Sequence, residues 1–204
     1  MVTKTNKILG AAVAIALIIA AIIFVYVNLP KQTNTPTGNN TDHNNTTTPS
    51  ILTVFYGDHQ TNYTLTSLTQ LPSYTARGGY RTQSGSIKGQ GNYTGVNITT
   101  IVQTFQPAPP QYAIKVISSD GSNETYNFST VLGDVYLFNP NNASDPNPIG
   151  KGNMTMVLVY QYEGNWLNET TDGKLKIAFL DDQGSITQSF LWWKKVITIR
   201  IITE

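Results

Sequence analysis

The stretch Tyr112-Ala-Ile-Lys-Val-Ile-Ser-Ser-Asp-Gly-Ser-Asn-Glu-Thr-Tyr-Asn-Phe128 decides the fold class. Tyr112, Ile114 and Val116 alternate with Ala113, Lys115 and Ile117, the two-residue period of a strand with two distinct faces. Asp120-Gly121 is a turn signal, and Thr125–Phe128 returns as an antiparallel partner. In that returning strand Tyr126 and Phe128 share one face and Asn127 points the other way.

The neighbouring segments read in the same way. Ile51–Tyr56, Met154–Tyr162, Lys174–Leu180 and Phe190–Ile202 are apolar runs rich in β-branched and aromatic residues, hence strands. Tyr74–Thr82 is extended, with a bulge or close backbone approach at Gly78-Gly79, and Gly85–Gly91 is a loop or irregular strand. Asn139–Gly152 is a long turn-rich loop. Helical spacing occurs in two short places: Leu65, Leu68 and Leu71 before Pro72, and Asn97–Phe105 before Pro107. The expected class is α+β: a mainly-β domain over residues 51–204, with a mixed or antiparallel sheet and short helices.

Upstream the composition changes twice. Residues 30–50 are a Thr/Asn/Pro-rich linker that cannot bury enough surface to offset its ordering entropy. As a flexible chain it holds the domain about 25 Å from its other end. Residues 8–29 read as a transmembrane signal-anchor helix. Ile8 to Val27 carries no charge, long enough at 1.5 Å per residue to cross the hydrocarbon core. The tail 1–7 holds Lys4 and Lys7, which places it in the cytoplasm and the domain outside the cell membrane, in a single pass. A cleaved signal peptide is the rival reading. Ala14-Ile-Ala16 resembles a cleavage motif but falls mid-span, and the run exceeds an ordinary signal-peptide core.

Charged residues make up 12% of the 204, against about 25% in an ordinary soluble domain. The net charge of +1 gives no basic patch, which excludes a nucleic-acid binder. With no cysteine, disulfide frameworks, thiolate metal sites and a Cys nucleophile are excluded too. Asn, Thr and Ser replace the missing charge. Eleven Asn-X-Ser/Thr sequons follow, at Asn39, Asn44, Asn45, Asn62, Asn92, Asn97, Asn123, Asn127, Asn142, Asn153 and Asn168. A chain of this composition would carry about four by chance, so N-glycosylation on an outer face is expected.

Several segments together resemble the oxidoreductase molybdopterin-binding domain of sulfite-oxidase-like enzymes. They are Tyr63-Thr-Leu-Thr-Ser-Leu-Thr-Gln-Leu-Pro72, Tyr93-Thr-Gly-Val96 with its apolar helix, Ser119-Asp-Gly121 and Met156-Val-Leu-Val-Tyr160 with Gly164. Asp172-Gly-Lys-Leu-Lys-Ile177 and Phe190-Leu-Trp-Trp-Lys-Lys-Val-Ile-Thr-Ile199 complete the order, over residues 51–203. The resemblance implies that fold and a molybdenum centre held by a Cys thiolate near Arg77-Gly-Gly-Tyr80. This chain has no Cys, and Lys174 and Lys176 stand where the pattern has Pro and Arg. A molybdenum–dithiolene centre would then lack its protein sulfur. A cysteine-lacking, non-catalytic member is therefore expected, with no cofactor, molybdopterin entering by resemblance only. Arg77, Tyr80 and Arg81 are the pocket candidates, since two of the chain's three arginines could take an anion there.

Other chemistry finds less support. His43 lies in the linker and His59 in a turn, and no Gly-X-Ser-X-Gly elbow marks a nucleophile. Asn139, Asn141, Asn142 and Asp145, or Asp181-Asp182, could offer oxygens to calcium, but Asn, Asp and Pro also make turns. Asp120, Asp134 and Glu163 are accounted for by turns and helix ends rather than as glycosidase acids. Trp192-Trp193, adjacent on a strand, should face opposite ways. Three functions stay open: a membrane-anchored binding or accessory module, a structural cell-envelope glycoprotein such as a surface-layer or filament subunit, and an active oxidoreductase. The partner is correspondingly an envelope protein or a small molecule. Intact-mass spectrometry of protein from its native membrane should show heterogeneous mass above that of the polypeptide. A single unmodified mass would remove the glycoprotein reading.

Overall fold

The structure, a computed structural model, describes residues 48–142 and 145–203. The expected tail, anchor helix and most of the linker lie outside the described residues, as do Asn39, Asn44, Asn45 and His43. No helix among the described residues is long and apolar enough to cross a membrane.

Thirteen strands among the described residues form two main sheets and a small ribbon. They are β1 (Leu52–Tyr56), β2 (His59–Tyr63), β3 (Ser73–Arg81), β4 (Ile87–Asn97), β5 (Tyr112–Ser118), β6 (Asn123–Tyr126) and β7 (Asp134–Leu137). After them come β8 (Gly150–Asn153), β9 (Thr155–Tyr162), β10 (Asn165–Trp166), β11 (Lys176–Leu180), β12 (Ile186–Gln188) and β13 (Val196–Thr203). Three short helices interrupt them: α1 (Leu65–Thr69), α2 (Ile98–Gln103) and α3 (Phe128–Val131). The fold is thus mainly β with mixed sheets, as the alternating patterns required.

The first sheet runs β2-β1-β13-β5-β6 and the second β10-β9-β4-β3-β12, with β11 also on β9. β1 pairs parallel to β13 and β12 parallel to β3, while the other pairs are antiparallel. The third sheet is β7-β8, joined to β12 by a bridge between Phe138 and Ile186.

The main core lies between one face of each large sheet. Leu52, Val54, Ile114, Val116, Ile199 and Ile201 meet Val96, Met156, Leu158, Ile177 and Phe179 there, closed by Ile98, Ile101 and Val102 of α2. A second cluster covers the other face of the second sheet: Ala76, Tyr93, Val157, Val159, Ala178 and Leu180 under Trp192. Alternation therefore buries both faces of β9 and β11, and all five residues of β11 are buried, Lys176 included.

Two expectations are corrected. Phe190–Ile202 is not one strand: Ser189–Leu191 is a 3-10 turn and β13 begins at Val196. Lys195 has φ 55, its N–H donates to the Asp172 carbonyl, and a Cβ on the crossing Gly173 would strike the Lys195 backbone. That crossing bends the chain between Trp192 and β13. The two tryptophans nevertheless diverge, Trp192 into the second cluster and Trp193 against the first. Asn127 is not on a strand either. It caps α3, its Oδ1 accepting from Thr130 N–H at 2.9 Å, and it remains exposed. Of the two readings of Gly85–Gly91, Gly89 and Gly91 take the irregular-strand one: they lie within β4, whose pairing with β3 shifts register between Gly78 and Tyr80.

At Gly95 the two central strands of the second sheet come so close that a Cβ would overlap the Leu158 carbonyl. Gly95→Ala should lower stability by about 2–3 kcal/mol, read from the denaturant midpoint. An unchanged midpoint would show that β4 and β9 do not approach in this way.

Candidate functional site

The parity of β11 places Lys176 on the same face as Ala178 and Leu180, against Tyr93 of β4 rather than in the main core. Its ammonium is buried and lies 4.8 Å from the Tyr93 ring centroid and 5.3 Å from that of Trp192. Both distances are those of cation–π contacts. Its anionic partner is Asp172, one helical turn's worth of sequence away on the approach to β11, with Nζ 3.4 Å from Oδ1. Lys194 reaches the same oxygen at 3.0 Å, and the Thr171 hydroxyl donates to Oδ2 at 2.9 Å. One carboxylate thus serves two ammonium groups, leaving one net positive charge at this end of the site.

Lys176, Asp172, Lys194 and Tyr93 line a cavity of about 420 Å³, with Trp192 packed behind its wall. Tyr80 and Tyr93 form its wall, their rings 5.2 and 5.3 Å from Trp192. Tyr162 stacks on Tyr93 at 4.8 Å, and Trp166 stands at the mouth, 55% exposed. The hydroxyls of Tyr93 and Tyr162 donate to the carbonyls of Gly89 and Gln90, so both rings offer faces rather than O–H groups. Trp192 is fixed by its indole N–H, which donates to the buried Thr187 hydroxyl at 2.7 Å. Glu163, exposed on the outer wall, accepts from Asn92 N–H at 2.7 Å. A larger cleft of about 570 Å³ runs beside Ser50–Thr53 and Lys195–Thr198, but of its charged groups Glu169 and Lys174 are exposed and Lys195 is half-buried, and none is enclosed.

Burial pushes the Lys176 ammonium below its ordinary value; Asp172 opposes that shift and Lys194 adds to it. Burial pushes the Asp172 carboxyl up, but the Lys194 hydrogen bond, the Lys176 charge and the Thr171 hydroxyl outweigh it and hold the group low. Tyr93 is raised by burial, then by Tyr162 and Tyr80, so it stays protonated.

Of the three pocket candidates, only Tyr80 faces this cavity. Alternation along β3 turns Arg77 and Arg81 the other way. Arg77 is exposed, its backbone exchanging hydrogen bonds with Asp181, and the Arg81 guanidinium lies 5.7 Å from the Phe138 ring. Lys176, Asp172, Trp166 and Trp192 are the residues that the arginine reading missed. The signal was a lysine at a same-face position in an otherwise apolar strand. Asp181 accepts from the N–H groups of Gln183, Gly184 and Ser185, Asp120 accepts from Ser122, and Asp134 pairs with Lys151 at 2.7 Å. Among the described residues no group of three His, Asp or Glu could hold a metal ion. His59 is exposed at the start of β2. Seven described sequon residues are exposed: Asn62, Asn92, Asn123, Asn127, Asn142, Asn153 and Asn168. Asn97 is half-buried, with its Oδ1 enclosed and unpaired.

No protein-family model matches the chain, and no curated protein sequence does either. Among solved structures, the fold is similar to that of the sulfane dehydrogenase SoxCD from Paracoccus pantotrophus. The TM-score is 0.51 at 11% identity, over 75% of this chain and 38% of that one. The chain thus spans well under half the length of that enzyme, and what the two share is the fold, a sulfite-oxidase-like one. The residues here do not fit a thiolate-held molybdenum. No cysteine thiolate exists in the sequence. At the expected position, a Cβ on Gly78 would meet the Phe179 carbonyl at 2.7 Å and the Leu180 side chain at 2.8 Å. The space is filled by protein.

Asp172→Asn leaves Lys176 buried with no counter-charge and should cost about 3 kcal/mol. Lys176→Met should stay within about 1 kcal/mol of the parent, because Asp172 keeps Lys194. Lys176 binds its proton less tightly folded than unfolded, so the parent should gain stability relative to Lys176→Met as pH rises through the folded value toward 10.5. Asp172 acts at the acid end: its contribution is present above the ordinary 3.8 and is lost as pH falls through its lower folded value. Denaturant titrations of the three proteins across pH check both. A flat difference between parent and Lys176→Met would show that Lys176 is not buried as a cation.

Proposed function

We propose that the chain is a membrane-anchored, extracytoplasmic glycoprotein whose sulfite-oxidase-like domain works as a binding module, without a molybdenum centre. The observation that carries this reading is the Lys176 ammonium, buried between Tyr93 and Trp192 and sharing Asp172 with Lys194 at one end of an open cavity. A buried cation beside aromatic faces, with Glu163, Asn165 and an exposed Trp166 on the outer walls, suits a small organic anion with an apolar face and hydroxyl groups. A sugar acid has that chemistry. Its carboxylate would go to the lysine pair, its C–H face onto the tryptophan and its hydroxyls to Glu163 and Asn165. The uncharged span 8–29 supports the anchor, and the sequon excess supports an outer location.

Calorimetric titration of the purified protein with glucuronate, glucose and acetate tests the ligand class. Glucuronate should bind tightest, and Lys176→Met should weaken it at least tenfold. Equal binding by parent and variant would overturn the site. Stoichiometric molybdenum in protein from the native host would overturn the non-catalytic reading.

A further inference from the structure

The open edges of the β-structure share a feature that neither the cavity nor the fold accounts for. The first sheet ends at β2 and β6. One side of the second passes through the Phe138–Ile186 bridge to β7, so that β8 is the outermost strand there. Its other side ends at β10 and β11, and β11 is covered: Ile177 N–H donates to the Trp193 carbonyl, Val196 N–H to that of Leu175, and Asp181, just after the strand, exchanges backbone hydrogen bonds with Arg77 of β3. The edge strands are therefore β2, β6, β8 and β10. Three of them contain a sequon residue, Asn62 in β2, Asn123 in β6 and Asn153 in β8, and Asn168 follows β10 by two residues. All four are exposed.

Edges invite a strand from another molecule, and proteins blunt them with lysine, inward charges, proline or bulges. These edges have little of that. The sequences are His-Gln-Thr-Asn-Tyr, Asn-Glu-Thr-Tyr, Gly-Lys-Gly-Asn and Asn-Trp. They hold no proline and two formal charges, of which Lys151 is paired with Asp134. Amide geometry at two of the sites favours modification. The Asn62 Oδ1 accepts from Thr53 Oγ1 at 3.0 Å and Gln60 Nε2 at 3.1 Å, and the Asn168 Oδ1 accepts from Thr170 N–H at 2.9 Å. With the carbonyl oxygen turned onto its own chain, Nδ2, the atom that carries an N-glycan, is the outward one. The contrast is Asn97 at the end of β4, a strand paired on both sides, where the sequon is half-buried.

We propose that N-glycans at Asn62, Asn123, Asn153 and Asn168 guard the sheet edges against pairing between copies of this chain. The proposal rests on the extracytoplasmic glycoprotein reading above. A glycan leaves an edge strand through a sheet face and is bulky enough to overhang the roughly 4.8 Å lane beside it, where the side chains of an added strand would have to pass. The same device makes strand exchange a poor basis for a filament, which weighs against a structural envelope subunit.

The test uses the full chain in detergent, made in a host that glycosylates Asn-X-Ser/Thr. Glycopeptide mass spectrometry should find the four edge sites occupied and Asn97 bare. The quadruple variant Asn62→Gln, Asn123→Gln, Asn153→Gln, Asn168→Gln should then form oligomers at a concentration at least tenfold below the parent, measured by light scattering. The control Asn92→Gln, Asn127→Gln, Asn142→Gln should stay monodisperse. Enzymatic trimming of glycans from the folded parent repeats the comparison without any substitution, and should produce the same oligomers. Occupied edge sites combined with a trimmed protein that stays monodisperse would overturn the guard role. Bare asparagines at every sequon, in the native host as well, would overturn the glycoprotein reading and the guard with it.

Discussion

Burial of the second sheet on both faces is the constraint from which the rest of the domain follows. One face closes the main core against the first sheet, and the other must be covered by whatever the chain can bring to it. The cover is Trp192, carried there by the break in the chain before β13 and held by Thr187. A strand buried on both sides is normally an unbroken apolar run, and β11 departs from that rule at Lys176 alone. A solitary buried ammonium needs a counter-charge, so the segment before β11 supplies Asp172. The chemistry of the cavity is thus a consequence of the layering. It is the place where the sheet's second face stops being hydrocarbon.

Much of this architecture was legible in the residues. Period-two alternation locates β5, apolar runs rich in β-branched and aromatic residues locate β1, β9 and β11 to within about two residues, and leucine spacing locates α1. The strand ending at Ile202 was misplaced because Gly173 and Lys195 cross, a contact between residues 22 apart that no local pattern reports. The alternation of Tyr126 and Phe128 points to a strand at Asn127, but Asn is equally a helix N-cap, and here capping of Thr130 N–H prevails. At the site, arginines drew attention for their charge. Face parity along β3 would have separated Arg77 and Arg81 from Tyr80, and parity along β11 would have flagged Lys176. Asp172 and Trp192 could not be joined to Lys176 from sequence, because tertiary folding alone brings them together.

The scarcity of charge takes on a structural meaning once the edges are mapped. A surface with few lysines and carboxylates lacks the ordinary means of keeping sheets apart, and Asn and Thr do not replace them by themselves. What they supply is attachment chemistry. On the proposal above, solubility and sheet separation would depend on that attachment as much as on the side chains themselves.

The strand order also bears on timing. β13, the last strand, lies inside the first sheet between β1 and β5, and its parallel partner β1 is the first strand of the domain. Neither half of that sheet can be completed until residues 196–203 have been synthesised. Such distant pairings fold slowly. During that interval β1 and β5 each have an unfilled side, and the chain is at its most vulnerable to wrong partners before it has a native edge to defend.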